Sequence, residues 1–233
     1  MYFAHSPEIW LRFPQLGAGT LLADRIEAHA DAEPLLAPWY ERARRRLGQG
    51  PESDLAEISA WRRAYAQMGL KPTQYRSAAE ALLRRFRKEG DLPRLHPLVD
   101  LCNAVSLAFA LPVAVFDLDE VTAPLEVRHA KGDEQHWAFN GEVERPEPGE
   151  VVFADAVDHA HARRWTFRQS RRSTVTAKTG RVLIVAEALH ASAAADVSAI
   201  VDALSEGIGA LGGAPLRAAI LTPAAPKFDI SVE

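Results

Sequence analysis

Through the first half of the chain, apolar residues recur with helical spacing; after Pro112 they gather into short runs rich in β-branched and aromatic residues. Residues 34–47, 53–68 and 76–89 carry helix formers with apolar side chains on one face. Ser53 reads as the N-cap of the second, which Gly69 ends. Ser77 with Glu80 three residues on starts the third, which Gly90 ends. Residues 97–111 are apolar on nearly every side, with Pro97 in the first turn and Pro112 as the stop, and predict a buried helix. Before these helices, MYFAH and GTLLADRIEA read as strands. After them, PVAVFDLD, LEVRHA, EQHWAFN, EVVFADA, RRWTFRQ, STVTAKTG and VLIVAEAL predict a series of strands, with a turn at Asn140-Gly141. Residues 191–211 return to helix, Gly212 and Gly213 end it, and LRAAILT reads as a last strand. No repeat or low-complexity linker interrupts the chain. The pattern predicts one α+β domain over residues 1–233, an N-terminal helical layer packed on a mixed, mainly antiparallel sheet.

The buried helix carries an anomaly. Asp100, Asn103 and Ser106, each three residues apart, lie along one face, with Cys102 off it. Such a stripe either ties neighbouring loops down by hydrogen bonds or forms the wall of a pocket.

Composition narrows the classes of partner. The 233 residues are 48% hydrophobic and 25% charged, enough for a sizeable core, and the net charge of −4 gives no general attraction to nucleic acid. Any such binding must come from local patches. Two candidates are the cationic helix ends, Arg42 and Arg44 to Arg46, and Arg84, Arg85, Arg87 and Lys88, although cations in a last turn also complement the helix dipole. A third is the run from Arg163 to Arg172 around Trp165 and Phe167, a mixture suited to phosphates and exposed bases. As one extended strand it puts Arg164, Thr166 and Arg168 on one face and Trp165 and Phe167 on the other. The single cysteine, Cys102, allows no disulfide within the chain. No secretory leader pattern and no run of about 20 apolar residues is present, so the expectation is a cytoplasmic protein without a membrane span.

Several residue pairs carry candidate chemistry. His159 and His161 beside Asp155 and Asp158 have strand-face spacing for a metal, but without a well-spaced third ligand no metal or cofactor is predicted. Either histidine, or His129 or His136, is a candidate base. Cys102 with His96 is a nucleophile pair on paper, yet a mid-helix thiol in apolar surroundings is more often packing. Asp117, at a strand end, reads equally as a turn cap.

VDLCNAVSLAFALPVAVFD resembles the segment VDxTNYVxLExxQPxHAFD of the B3/B4 region in the phenylalanyl-tRNA synthetase β subunit. Asp100, Asn103, Leu107, Pro112, Phe116 and Asp117 match without a gap. The flanks WRRAYAQMGLKPTQYRSAAEALLRR and GEVVFADAVDHAHARRWTFRQSRRSTVTAKT look like free-standing B3/B4 proteins. The similarity spans about Trp61 to Glu187, leaving a helical extension over 1–60 and a helix and strand over 188–233. The resemblance implies a module that binds tRNA or aminoacyl-tRNA through local basic patches and hydrolyses the ester of a mismatched amino acid in trans. A non-catalytic binding module of the same fold is the alternative. Cys102, Asn103, Pro112 and Ala114 become counterparts of editing-pocket residues, with Cys102 in place of a threonine and Ala114 in place of a histidine. Ester hydrolysis needs a positioned water and donors for an oxyanion, and the polar groups on offer are Asp100, Asn103 and Asp117. Cys102, Ser106, Pro112, Ala114, Asp155 and Gln169 are the expected contacts to the amino-acid moiety. Arg164, Trp165 and Arg168 are those to tRNA, the RRWTFRQ run following an RxWxxRQ-like pattern.

Overall fold

The computed structural model describes residues 1–231. Strand β1 (Tyr2–His5) leads into a short helix α1 (Pro7–Arg12) and strand β2 (Gly17–Asp24). Four helices follow: α2 (Glu33–Leu47), α3 (Ala56–Gln67), α4 (Ala78–Glu89) and α5 (Pro97–Phe109). Strands β3 (Val113–Asp117), β4 (Leu125–His129), β5 (His136–Trp137), β6 (Val143–Glu144) and β7 (Val151–Ala154) come next. Then come β8 (Ala160–Arg163), β9 (Arg168–Gln169), β10 (Arg181–Ala188), α6 (Ala193–Ala210), β11 (Ala214–Leu221) and β12 (Lys227–Asp229).

The strands form a four-stranded antiparallel sheet, β11-β2-β10-β3, and a six-stranded sheet, β12-β1-β4-β7-β8-β9, in which β1 and β4 run parallel and the other pairs antiparallel. Strands β5 and β6 pair as a small ribbon. The class is α+β with a mainly antiparallel sheet content.

Strand β10 shows why the apolar runs lack alternation. Val182, Ile184, Ala186 and Ala188 face a core shared with α2, α4, α5 and α6. Leu183, Val185 and Leu189 face a second core holding Phe3, Trp61, Phe116, Phe153 and Trp165. Successive side chains point to opposite faces and both faces are covered, so the strand is apolar throughout except at Arg181, where it starts, and at Glu187. Helices α5 and α6 lie on the four-stranded sheet, and α2 and α4 stack on α5 from outside. Ten of the 13 residues of α5 are buried, which makes it a core helix and accounts for its apolar composition.

Close packing of α6 on the sheet and on α5 depends on two glycines. A Cβ at Gly19 would stand 2.6 Å from side-chain carbons of Val197 and Val201 on α6, and one at Gly207 would stand 2.6 Å from Leu101 on α5. Larger residues there must push the layers apart.

Sequence and structure part in four places. The RRWTFRQ run is a turn between β8 and β9, with Arg164 at φ 46° and Trp165 at φ 58°. The left-handed step lets Trp165 drop into the second core, and the Tyr65 hydroxyl donates to the Arg164 carbonyl to hold it. Residues 173–180 form no strand; Thr176 and Thr179 bind local backbone, the competition that short hydroxyl side chains offer to a ladder. The N-cap expected at Ser53 is absent, because Ser53 sits in a 3-10 turn (Glu52–Asp54) and its carbonyl accepts from Ser59. Helix α1 and strand β12, at six and three residues, are too short for periodicity to reveal.

Substituting Gly19→Val should cost about 1–3 kcal/mol through overpacking against α6. Thermal unfolding followed by circular dichroism checks this, and Gly209→Ala, whose Cβ meets nothing within 4 Å, is the control for a glycine with open space beside it.

Candidate active site

Helix α5 ends in a left-handed C-cap at Ala110, φ 57°, after which Pro112 starts the chain into β3. Two cavities lie beside this corner and adjoin at Val113 and Gln169. The larger, about 400 Å³, is lined by His96, Val99, Cys102, Asn103, Val115 and Phe139 among others. The smaller, about 50 Å³, is lined by Pro112, Ala114, Trp165, Arg168, Val185 and Glu187 among others. The Gln169 side chain forms part of both walls, its amide donating to the Val115 carbonyl at 2.6 Å.

The polar stripe therefore divides. Asn103 is half-buried, lines the larger cavity, and makes no side-chain hydrogen bond among the described residues. Ser106 is buried and donates to the Leu111 carbonyl at 2.6 Å, securing the turn after α5. Asp100 is buried, accepts the Leu95 N–H at 2.9 Å, and borders a separate shallow depression with Asp31, Glu33 and Arg94. Burial raises the Asp100 carboxyl above its ordinary range, against the N–H bond and nearby cations. One of the three stripe residues looks into the cavity, and two tie down backbone.

Two further acids expected at the site hold loops instead. Asp117 accepts from the Asp119 N–H at 3.1 Å and from the Thr179 hydroxyl at 2.5 Å, which makes it a turn cap. Asp155 accepts N–H groups from Thr122, Val157 and His159 and faces the His161 ring at 3.2 Å. Burial alone would raise its pKa; the His161 bond and the backbone donors outweigh that and hold it at about 2. His161 is fully buried between Asp155 and the Ser173 hydroxyl. These side chains are spent on backbone geometry and are not free to meet a ligand.

The cationic run is largely neutralised. Arg163 is buried between Glu144 and Glu150, and Arg164 lies 3.7 Å from Glu150 with its guanidinium over the Tyr75 ring. Arg168 pairs with Glu144 at 3.0 Å but is half-exposed at the cavity rim. Trp165 is fully buried, its Nε1–H donating to Glu187 at 2.9 Å, so its ring has no free face for a base. The ends of α2 and α4 do converge: Arg44 reaches the Gly90 carbonyl and Arg87 the Gly50 carbonyl. Most of their cations meet acids, Arg46 with Glu57, and Arg84 and Arg87 with Glu52.

Two residues that sequence reasoning did not place in the pocket stand in it. His96, at the N-cap of α5, accepts the Leu98 N–H on Nδ1, which leaves the proton of the neutral ring on Nε2. That Nε2 has no partner among the described residues, and the ring, 8% exposed, lines the larger cavity. Burial pushes its pKa below 6.5, against the pull of Asp100. The signal was its place just before Pro97, where an N-cap side chain folds back over the helix start. Glu187 is buried in the smaller cavity and accepts from Trp165 Nε1 and faces His5 Nε2 at 2.7 Å. A lone acid inside VLIVAEAL was its signal. Cys102 lines the larger cavity, but full burial raises its thiol far above the usual value, so it offers no thiolate.

Among the described residues, two groups bring three metal-ligating atoms within 4.8 Å: Glu57, His190 and Asp196, and Asp133, Glu134 and Asp158. Arg46 already binds Glu57, and Arg128 binds Glu134 and Asp158, so a guanidinium supplies cationic charge in each.

The B3/4 domain model matches residues 60–205, more than half of the chain. The phenylalanine-tRNA ligase beta subunit of Coxiella burnetii is 41% identical over 54 residues, 23% of this chain and 7% of that protein. Its Haemophilus influenzae counterpart is 24% identical over 118 residues, 51% of this chain and 15% of that protein. This chain thus spans a small part of those relatives. An N-terminal fragment of the phenylalanyl-tRNA synthetase beta subunit from Pyrococcus horikoshii superposes with a TM-score of 0.49 at 10% identity, covering 91% of this chain and 49% of that one.

The His96 geometry has a direct spectroscopic test. Long-range proton–nitrogen NMR should show the Nε2–H tautomer, with the ring titrating below 6.5 and neutral at pH 7. Because the folded pKa is depressed, acidification through 6.5 favours the unfolded chain, which takes up the proton more readily, and His96→Gln should lessen that acid sensitivity.

Proposed function

The chain belongs to the B3/4 domain family, and we propose that it binds aminoacyl-tRNA and hydrolyses the ester of a mismatched amino acid in trans, the 233 residues working as one unit. The observation that carries this reading is the meeting of two uncommitted hydrogen-bonding side chains, His96 Nε2 and the Asn103 amide, on one cavity of about 400 Å³. Both sit on the rigid start and middle of α5, so their positions are fixed before a ligand arrives.

In this reading the terminal aminoacyl-ribose enters the larger cavity and the ester carbonyl oxygen takes hydrogen bonds from His96 Nε2–H and the Asn103 amide. Those donors gain strength as the carbonyl becomes a tetrahedral oxyanion in a site partly shielded from water. The smaller cavity, about 50 Å³ behind Ala114, has room for water. Glu187 borders it, with one carboxylate oxygen taken by Trp165 and His5 and the other without a partner among the described residues. Water attacks the carbonyl carbon, one of its protons passes to Glu187, and collapse of the oxyanion expels the ribose oxygen, which takes that proton from Glu187 and leaves as the hydroxyl. The products are the free amino acid and uncharged tRNA. Ala114 sits opposite Val185 in the β3–β10 register, so a histidine there would fill this space; the alanine leaves it to water or to the substrate side chain. Arg168, half-exposed at the rim while paired with Glu144, is the place for a tRNA phosphate.

A second reading, a non-catalytic tRNA or small-ligand module, draws on Ala114 in the family's histidine position and on the arginines already paired with acids. Incubation with a panel of mischarged tRNAs separates the two. Deacylation above the spontaneous rate for at least one of them is expected, with Asn103→Ala lowering turnover by about 10²-fold, the scale of one lost oxyanion donor. Rates equal to the spontaneous rate for every tRNA, with binding retained, would select the module. Arg168→Ala should weaken tRNA binding and flatten its dependence on salt, as removal of one phosphate contact does.

A further inference from the structure

On the opposite surface of the six-stranded sheet lies a cleft of about 750 Å³, lined by residues drawn from 2–14, by Glu126, and by Pro223, Pro226 and Lys227. Apart from Glu126 these residues fall outside the matched span 60–205, so the cleft is distinct from the cavities at α5.

The register of three strands sets its chemistry. Ala4 of β1 pairs with Lys227 of β12 on one side and Glu126 of β4 on the other. Directly opposed residues point to the same face, and strand spacing puts the outer two Cα atoms about 10 Å apart. Tyr2 shares that face, two residues before Ala4, and touches both flanks: its hydroxyl donates to Glu126 at 3.0 Å, and the Lys227 ammonium stands 4.6 Å from its ring centroid. A cation thus stands over the Tyr2 ring and an anion at its hydroxyl. Neither makes an ion pair with any described residue, and Tyr2 occupies one Glu126 oxygen and leaves the other.

Beyond the charged pair the walls are apolar, from Pro7, Trp10, Leu11, Pro14, Pro223 and Pro226. Leu11 is 82% exposed, with nothing laid over it. Trp10 is 5% exposed and lines the cleft, and its buried Nε1–H has no acceptor among the described residues.

We propose that this cleft is a binding site for a free α-amino acid with a large apolar side chain. The α-carboxylate meets Lys227, the α-ammonium meets the free oxygen of Glu126, and the Tyr2 ring lies beneath the head group. The side chain packs on Leu11 and the proline walls, beside the Trp10 ring. A molecule with one charge leaves a partner unmatched, and a zwitterion without an apolar tail leaves the walls wet.

The test is NMR of the nitrogen-15-labelled full chain, following the Trp10 indole resonance, identified by its loss in Trp10→Phe. Titration with L-leucine or L-phenylalanine to about 10 mM, a range suited to weak small-ligand binding, should shift that resonance saturably. Glycine should bind more weakly, and N-acetyl-leucine amide, which keeps the tail but neither charge, should leave it unmoved. Glu126→Gln and Lys227→Met should each weaken binding by about 2- to 5-fold, as expected for exposed charge contacts, with the indole signals of the other four tryptophans unchanged as the check on folding. An unmoved Trp10 signal with both amino acids would overturn the proposal. So would equal shifts from the uncharged amide, which mark a plain apolar patch, or undiminished binding in the double variant. None of these outcomes bears on deacylation at α5.

Discussion

One buried carboxylate joins the parts that make the pocket. Glu187, on the strand common to both cores, receives the indole N–H of Trp165 and faces the imidazole of His5, and so links β10, the β8–β9 turn and β1. An ionisable group at 2% exposure is tolerated only with such partners, and removing either would leave the other groups buried without one. The left-handed pair Arg164 and Trp165 follows from the same demand. Neither residue favours that conformation, and the indole's seat against Glu187, Phe13 and Trp61 is what holds the backbone there.

Around that anchor, helix α5 is set against two kinds of neighbour. Its buried side is locked by glycine-mediated contact with α6, and its start and end are fixed by His96, Asp100 and Ser106 bonding to backbone. Most of the stripe thus serves rigidity, and that rigidity presents Asn103 and the His96 ring to open space. A polar residue can serve a site by holding its frame without lining it. Asp100 and Ser106 do this on α5, and Asp117 and Asp155 do it for the loops after β3 and β7.

Much of this was legible in the chain. The apolar periodicity and the Pro and Gly punctuation placed α2, α4, α5 and α6 within a few residues, because cap and breaker chemistry is local. The aligned motif pointed to the corner between α5 and β3, and Asn103, Pro112, Ala114 and Gln169 do line the two cavities there. Non-local facts stayed hidden. RRWTF has the composition of a strand and becomes a turn only because a distant carboxylate and an aromatic core claim the tryptophan. The roles of Asp117 and Asp155 depend on which backbone amides pass nearby. His96 was visible as a residue but not as a cavity wall, since its tautomer is set by the Leu98 amide and its neighbours by the packing of β3 and the 174–175 loop.

Strand pairing also bears on grafting. The segment that carries the family's signature stops short of β1, β2, β11 and β12, yet β2 lies between β11 and β10, and β1 supplies His5 to the anchoring carboxylate. A chimaera that transplanted the signature alone into another scaffold would carry α5 and its cavity residues but lose the partner strand along one edge of β10. It would also lose the imidazole behind the pocket. What recombines intact is a set of strands from both termini closed around the motif, so the span that the family signature marks is smaller than the span that must travel together.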